Sequence, residues 1–159
     1  MAFNNKSDAL EQLILSQLSR SEVKQFADER SRPFRELMAY YRCAIMEVTT
    51  KFNVLNEELS LQYDRNPIES VKSRLKSPES ILEKCRRKGI KLSAENIESS
   101  IYDIAGVRVI CAFPSDIYML SEAFLRQDDI RLIERKDYIQ NPKENGYRSL
   151  HLIIEIPIF

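Results

Sequence analysis

The β-branched, apolar run VRVICAF, residues 107–113, restricts the possible folds more than any other feature of the sequence. With Gly106 just before it, the run predicts a buried strand. A helix is predicted from Ser115 to about Leu125, then strands at 130–135 and 149–156. Upstream, the alternating segment SVKSRLK predicts another strand, and Pro78 begins a short helix that Gly89 ends. This order of strands and helices predicts an α+β fold in which helices cover a sheet.

The N-terminal part of the chain is predicted to be helical. Ser7 caps a short helix that ends near Leu18, and a longer helix runs from Pro33 to about Tyr63. The apolar positions of the longer helix are spaced by three and four, which is typical of a core face or an oligomer contact. We therefore predict a helical segment over residues 1–64 and a second domain over 65–159.

The positive charge of the chain is concentrated in one segment. The net charge is zero, from 24 basic and 24 acidic residues, which argues against a protein that binds a polyanion through bulk charge. Between Lys72 and Lys91, however, eight basic residues face two acidic ones, a local excess of six. This pattern favours a compact polyphosphate ligand over a long nucleic acid. The alternative is a solvated basic surface.

The sequence shows no sign of secretion or membrane insertion. It lacks an apolar run of the roughly 18 residues needed to span a bilayer. Its N-terminus has no basic region followed by an apolar stretch, and the three cysteines show neither pairing nor zinc-ligand spacing. We expect a cytoplasmic protein that does not bind membranes.

Four cations of the basic segment are candidate phosphate ligands. Arg74 and Lys76 alternate on one face of the predicted strand, and Lys84 and Arg87 share one side of the following helix. Two such pairs can clamp a triphosphate, because arginine offers a bidentate fork and lysine a point charge.

Asp103 is a candidate metal ligand. It precedes the central apolar strand, where a carboxylate can hold Mg²⁺ against phosphate oxygens. Arg108 lies within that strand and is costly to bury unless it meets an anion. An Asp103–Arg108 ion pair is the alternative.

The segment NPKENGYRSLH is the third candidate element. Tyr147 can stack on a base, while Lys143 and Asn145 supply an ammonium and an amide. His151 is able to donate to a phosphate or ribose, although a lone histidine on a strand is more often a structural side chain.

Together these segments resemble one known family. SRLKSPESILEKCRRKGI, YDIAGVRVICAF and RKDYIQNPKENGYRSLH, in this order and spacing, resemble the synthetase domain of RelA/SpoT-type (p)ppGpp synthetases, and in particular the small alarmone synthetase branch. The resemblance covers about residues 65–159. It implies an α+β fold with a mixed β-sheet of the nucleotidyltransferase-like synthetase type and covering helices.

The resemblance also implies an activity and residue roles. The enzyme would transfer the β,γ-diphosphate of ATP to the 3′-hydroxyl of GTP or GDP, with Mg²⁺ as cofactor and Asp103 as its ligand. Arg108 would neutralise the transferring phosphates. ATP would be bound by Arg74, Lys76, Lys84 and Arg87, with Arg74 on the adenine. The guanosine nucleotide would be bound by Lys136, Lys143, Asn145, Tyr147 and His151, with Tyr147 on the guanine.

One departure from the family pattern affects catalysis. The resemblance implies a second acidic residue on a later strand, and the sequence ends at Phe159 before such a strand. Glu155 follows Ile154 on an earlier strand and does not match that motif. We therefore expect a C-terminally truncated domain with impaired turnover. The resemblance further implies homotetramers, and the absence of a hydrolase motif leads us to expect synthesis without degradation.

Two other functions remain open from the sequence. One is a nucleotide-binding regulatory module without catalysis. The other is a single-stranded RNA binder that uses the basic segment and Tyr147, which the zero net charge disfavours.

Overall fold

The computed structural model describes residues 32–63 and 65–159. Its elements, in chain order, are α1 (Arg32–Tyr63), β1 (Ile68–Leu75), α2 (Pro78–Lys88), α3 (Ala94–Ser100), β2 (Ala105–Cys111), α4 (Pro114–Leu125), β3 (Arg131–Asp137) and β4 (Leu150–Glu155). The described residues divide into two compact units. The first comprises residues 32–38 and Ser77–Ser100, and the second comprises Ala39–Lys76 and Ile101–Phe159.

Helix α1 has Pro33 in its first turn and a predominantly apolar face, as predicted. Val48 and Leu59 on that face are buried in two apolar clusters, and Phe52 and Leu55 pack against both clusters. The stripe is therefore mainly a core face. The predicted helix from Ser7 to Leu18 lies outside the described residues, and the domain division at residue 64 stays a prediction.

Strands β1 and β2 form an antiparallel ladder whose two faces differ in chemistry. Val71 lies opposite Val109 and Ser73 opposite Val107, so these positions share one face. Val71 and Val109 pack against the cluster of Leu59, Ile68 and Leu120. The alternate positions form the opposite, polar face. The predicted strands are confirmed, but β2 is half-buried rather than fully buried.

Helix α2 in the first unit is fixed at both ends by its sequence. The hydroxyl oxygen of Ser77 accepts a bond of 3.3 Å from the amide of Ser80, and Pro78 occupies the first turn. Gly89 ends the helix with a left-handed φ of 66°, which glycine adopts without steric cost. The start and stop predicted from the sequence are both confirmed.

Helix α3 was not predicted. Its local signals are Ser93, whose hydroxyl oxygen accepts from the amide of Asn96 at 3.2 Å, and Glu95 in the first turn. Ile97 is buried within this short helix. Ala94 and Ile97 are the two apolar residues among the seven, too few for a periodic pattern, so the sequence did not predict this helix.

The second unit also contains α4 and the β3–β4 hairpin. Phe124 of α4 stacks on Phe52 with ring centroids 4.6 Å apart, beside Val48 and Ile130. Ile154 of β4 packs against the same cluster. The buried side of α4 thus joins helix α1 to the hairpin.

The predicted α+β class is confirmed, although the strands are arranged in two ladders rather than in one mixed sheet. In the part of the chain that is described, β1 pairs only with β2 and β3 only with β4, both antiparallel. Each ladder contains a register shift, between Ile68 and Ser70 and between Leu132 and Glu134, which increases local strand twist. Among the described helices, none is long and apolar enough to cross a membrane.

Candidate nucleotide site

Lys76 and Asp103 are brought together by an extension of the β1–β2 ladder. The amide of Lys76 donates to the carbonyl oxygen of Ile104 at 2.7 Å, one step beyond the end of β1. Asp103 lies between the buried residues Ile101 and Ile104, which fix its backbone. The Lys76 Nζ atom consequently lies 2.9 Å from Asp103 Oδ2, with the lysine side chain 12% and the aspartate 54% exposed. A predicted phosphate ligand and the predicted metal ligand are therefore neighbours.

The polar face of the β1–β2 ladder carries a group of cations. Lys72 lies directly opposite Arg108, and Arg74 lies opposite Gly106, so all three cations share this face. All three are exposed. Like charges directly opposite each other are destabilising, and a bound anion would relieve their repulsion.

The expectation that Arg108 would be buried in an apolar strand was wrong. Its side chain is exposed, because the register places it on the polar face between Val107 and Val109, whose side chains point to the apolar face. Arg108 can therefore contribute to an anion site because Lys72 and Arg74 lie on the same face, and not because its own charge is buried.

Lys84 and Arg87 belong to helix α2 of the first unit. The helix buries Ile81 and Cys85, Arg87 lies away from that buried side, and Lys84 lies at its edge. Arg87 is exposed and Lys84 is partly buried. Their assignment to ATP stays a prediction.

The loop between β3 and β4 is closed by a tight turn. The amide of Gly146 donates to the carbonyl oxygen of Lys143 at 2.8 Å, and the amide of Lys143 donates to that of Tyr147 at 3.2 Å. Gly146 has a φ of 77°, in the region that favours glycine. The side-chain oxygen of Asn145 accepts from the Tyr147 amide at 3.2 Å. Asn145 therefore shapes the loop, in addition to the ligand contact predicted for it.

This turn places three predicted acceptor residues in one cluster. The hydroxyl of Tyr147 lies 2.9 Å from Nε2 of His151, and their ring centroids are 5.8 Å apart at 79°. The Nζ atom of Lys143 lies 5.4 Å from the Tyr147 ring centroid. Tyr147 is 37% exposed, so part of its ring is open to a ligand.

The pKa of His151 depends on the cations around it. Its partial burial, and then the positive charges of Lys143, Lys136 and Arg108, lower its pKa. The same imidazole thus experiences charges from β2, β3 and the loop. Lys136 lies directly opposite His151 in the ladder and forms an ion pair with Glu134 at 2.9 Å. That ion pair, with its hydrogen bond, raises the pKa of Lys136.

Three structural features of the second unit were not predicted from the sequence. Tyr138 contacts Lys143, Tyr147 and His151. The Asp137 carboxylate accepts bonds of 3.0 Å from two loop amides, and one of 3.1 Å from the Tyr118 hydroxyl. Asp137 directly precedes Tyr138. An aspartate at the start of a turn often accepts from the amides that follow, so this feature could have been predicted from the sequence.

The third missed feature is a buried ion pair at the start of α4. Both nitrogens of the Arg65 fork donate to Asp116, at 2.7 and 2.8 Å, and the Asp116 side chain is 3% exposed. The Arg65 guanidinium also lies 5.0 Å from the Phe113 ring centroid. The two partners are 51 positions apart in sequence, so local patterns give no signal for this pair.

The fold and site define an α+β protein with a cationic face and an aromatic hairpin loop suited to a phosphate-bearing ligand. Residues 73–158 match the family described as a region found in RelA / SpoT proteins. The chain belongs to this family.

Known relatives support the assignment. GTP pyrophosphokinase YwaC of Bacillus subtilis (strain 168) is 49% identical over 118 residues, which cover 74% of this chain and 56% of the relative. GTP pyrophosphokinase YjbM of the same strain is 37% identical over 127 residues, covering 80% and 59%. The chain is also similar to the crystal structure of the small alarmone synthetase 1 from Bacillus subtilis bound to its product pppGpp, with a TM-score of 0.70, 35% identity, and 80% and 65% coverage. The chain thus spans somewhat more than half the length of the two pyrophosphokinases.

Proposed function

We propose that the chain is part of a GTP pyrophosphokinase, which transfers the β,γ-diphosphate of ATP to the 3′-hydroxyl of GTP or GDP. The 3′-hydroxyl loses its proton to solvent as its oxygen bonds to the β-phosphorus. The bond between that phosphorus and the oxygen of the α-phosphate breaks, and AMP leaves. Relatives that bear the name GTP pyrophosphokinase support the proposal, as does a solved relative bound to pppGpp.

The observation that carries the proposal is the convergence of positive charge on His151 beside Tyr147. Lys136 lies directly opposite His151 in the ladder, and the Lys143 Nζ atom lies 5.4 Å from the Tyr147 ring centroid. After partial burial, the charges of these two lysines and of Arg108 lower the pKa of the imidazole. An aromatic ring that can stack on a base next to such a field is suited to a nucleotide. Phosphoryl transfer relies on alignment and charge neutralisation, which this combination supplies.

The donor side of the proposed site follows from the polar face of β1. Arg74 and Lys76 are assigned to ATP, with the Arg74 guanidinium on the adenine and Lys76 on a phosphate. Lys84 and Arg87 of α2 are assigned to the same nucleotide. Arg108 is assigned to the phosphates that are transferred, where its charge lowers the cost of bringing two anionic substrates together.

The acceptor side follows from the hairpin loop. Tyr147 is assigned to the guanine, and Lys143, Asn145, Lys136 and His151 to the edges and phosphates of the same nucleotide. The lowered pKa of His151 favours the neutral imidazole in the free protein. One ring nitrogen can then accept from Tyr147 while the other donates to the ligand.

Asp103 fits a magnesium ion that arrives with the nucleotide. Within the described residues, no group of three or more His, Cys, Asp or Glu side chains is placed to hold a metal. Mg²⁺ commonly takes one or two protein carboxylates and completes its shell with water and phosphate oxygens, so a single aspartate suffices to anchor it. When bound, the ion would neutralise phosphate charge, while Lys76 pairs with the Asp103 carboxylate and orients it.

Binding and transfer are tested separately. We expect the chain to bind GDP and a nonhydrolysable ATP analogue by isothermal titration in Mg²⁺. Tyr147→Ala should weaken GDP binding about tenfold, in line with the roughly 1–3 kcal/mol of one stacking contact, and change the ATP analogue less than twofold. The matched control is Tyr40→Ala, which removes an exposed tyrosine from α1. An equal loss for both nucleotides in Tyr147→Ala would argue against guanine stacking.

Transfer is followed with labelled ATP, GTP and Mg²⁺. Formation of labelled pppGpp with release of AMP supports the pyrophosphokinase. Nucleotide binding with no transfer, both in this chain and in a form extended past Phe159, would favour the regulatory module. RNA binding unaffected by excess ATP and GTP would favour the RNA binder.

Assembly and location stay predictions. Three apolar side chains on α1 that are exposed in the single chain, Met46, Val54 and Leu61, support an oligomer contact. Light scattering coupled to gel filtration would distinguish the expected homotetramer from a monomer. The expected cytoplasmic location needs imaging in cells.

A further inference from the structure

The backbone of Tyr138 is fixed where β3 enters the loop. Its amide donates to the carbonyl oxygen of Ser149 at 2.9 Å, which extends the β3–β4 pairing by one step. On the preceding residue, the Asp137 carboxylate accepts 3.0 Å bonds from the amides of Ile139 and Gln140. These bonds fix the backbone on both sides of the Tyr138 Cα atom, and with it the point from which the ring extends.

The Tyr138 ring contacts each of the three side chains that form the acceptor cluster. Its centroid lies 5.2 Å from that of His151 at 86° and 6.2 Å from that of Tyr147 at 63°. The Lys143 Nζ atom lies 4.6 Å from the Tyr138 centroid, closer than the 5.4 Å to the Tyr147 centroid. Tyr138 is thus the nearer of the two rings that hold the ammonium.

An ammonium held in this place can distinguish two purines. An ammonium is attracted to the face of an aromatic ring, which limits where the flexible lysine side chain can go. A base stacked on Tyr147 would have its edge near this ammonium. Guanine offers two acceptors there, O6 and N7, whereas adenine offers N7 and an amino donor that an ammonium repels.

We propose that Tyr138 is a positioning residue that favours guanine over adenine at the acceptor site by holding the Lys143 ammonium. The proposal rests on the proposed function, since it takes Tyr147 as the stacking residue. It adds a residue and a cause of base preference that the sequence pattern did not supply.

The first test measures base preference. Displacement of a fluorescent GDP analogue by GDP, IDP or ADP is followed with the donor site saturated by a nonhydrolysable ATP analogue. Tyr138→Leu should weaken the binding of GDP and IDP roughly three- to tenfold, the size of one cation–π contact. It should change the affinity for ADP less than twofold. Tyr138→Phe, which keeps the ring, should bind all three like the parent protein. Equal losses for GDP and ADP, or full GDP affinity in Tyr138→Leu, would overturn the proposal.

A complementary variant covers the case in which Tyr138→Leu does not fold. Lys143→Met should lose the same preference for GDP over ADP while Tyr138 remains. Where both variants fold, the double variant should lose no more than either alone, because the two side chains act as one unit. Additive losses, or a Lys143→Met variant that retains the preference, would contradict the proposal.

The second test needs no nucleotide. In ¹³C-lysine-labelled protein, the ε-methylene signal of Lys143, identified with Lys143→Arg, should be shifted upfield by the ring current. The shift should persist in Tyr138→Phe and in the Tyr40→Leu control, and should largely disappear in Tyr138→Leu. An unshifted Lys143 signal in the parent protein would overturn the proposal. Failure of the parent protein to bind guanosine nucleotides would instead refute the proposed function.

Discussion

The hydroxyl of Tyr147 and the imidazole of His151 form a 2.9 Å hydrogen bond across the base of the hairpin loop. In the Nδ1–H tautomer the neutral Nε2 accepts this bond from the phenol, whereas a protonated imidazole can only donate to the phenol oxygen. Partial burial, and then the charges of Lys143, Lys136 and Arg108, favour the neutral imidazole by lowering its pKa. The direction of the hydrogen bond to the stacking residue thus depends on the protonation of His151.

The single histidine allows this dependence to be measured directly by NMR titration of tag-free protein. We expect a midpoint below the ordinary value of 6.5. Lys143→Met should raise the midpoint because one positive charge is lost, and GDP or pyrophosphate should raise it because an anion offsets the cations. Arg42→Gln, which removes a cation of α1, is the control. A midpoint above 6.5, or one unmoved by pyrophosphate, would contradict an anion site at His151.

The lowered pKa of His151 also predicts how the free energy of unfolding changes with pH. Since the folded pKa of His151 is the lower one, the unfolded chain binds more protons between the folded and unfolded values. The free energy of unfolding should therefore fall as pH drops through that window. His151→Gln should remove this part of the pH dependence in urea titrations.

Asp103→Asn should have opposite effects with and without magnesium. In Mg²⁺ we expect nucleotide affinity to fall at least about tenfold, because the variant lacks the proposed protein ligand of the ion that neutralises the phosphates. In EDTA we expect equal or tighter binding, since Lys76 loses the carboxylate with which it is paired at 2.9 Å. Titration calorimetry in both buffers measures the two effects. Glu155→Gln, which removes the carboxylate paired with Arg131, is the matched control. Equal losses in both buffers would remove Asp103 from the metal site.

Asp116→Asn should destabilise the fold without a direct effect on nucleotides. The change removes the carboxylate charge that accepts two hydrogen bonds from Arg65, and we expect a loss of about 2 kcal/mol, less than for a fully buried pair because the Arg65 side chain is 41% exposed. Urea denaturation measures it. Glu155→Gln breaks an exposed pair and should cost roughly 0.5 kcal/mol or less. Similar losses in the two variants would show that burial of Asp116 contributes little.

The Arg65–Asp116 pair also predicts an acid sensitivity. The hydrogen bonds from Arg65 are the largest cause that lowers the pKa of Asp116. A carboxylate with a lowered pKa stabilises the fold above its unfolded value, and this stability is lost as pH falls through the folded value. The parent protein should therefore lose stability below about pH 4, the ordinary range of aspartate, more steeply than Asp116→Asn.

The parts of the fold that sequence could predict are those set by local chemistry. Pro78 and Gly89 bound helix α2 as predicted, and β1 and β2 were predicted from the alternating segment SVKSRLK and the β-branched run VRVICAF. The register between strands was not predictable, and it is the register that places Arg108 opposite Lys72 on an exposed face. The apolar pattern of β2 suggested a fully buried strand, since a sequence pattern alone does not show which face of a strand meets solvent.

The candidate site was predictable to a similar extent. The motif containing Tyr147 and His151 could be read from the sequence, and the structure brings their side chains together. Tyr138 was missed because a tyrosine at the end of a strand has no distinctive local pattern. Its contact with Lys143 forms inside the loop, between positions five apart, and the loop turns back at Gly146.

Gly146→Ala should test that turn. Gly146 has a φ of 77°, and a Cβ atom added there would meet no other atom within 4 Å, so the expected cost of about 1 kcal/mol comes from the backbone alone. Gly106→Ala is the matched control for stability, because its φ is not in the left-handed region and its Cβ atom would meet only the Arg74 carbonyl oxygen at 4.0 Å. We expect Gly146→Ala to lose stability in urea titrations, to release the Tyr147 ring from His151, and to raise the dissociation constant for GDP severalfold. Gly106→Ala should keep the stability of the parent protein. A Gly146→Ala variant with parental stability and parental GDP affinity would show that the loop does not need the left-handed backbone to present Tyr147.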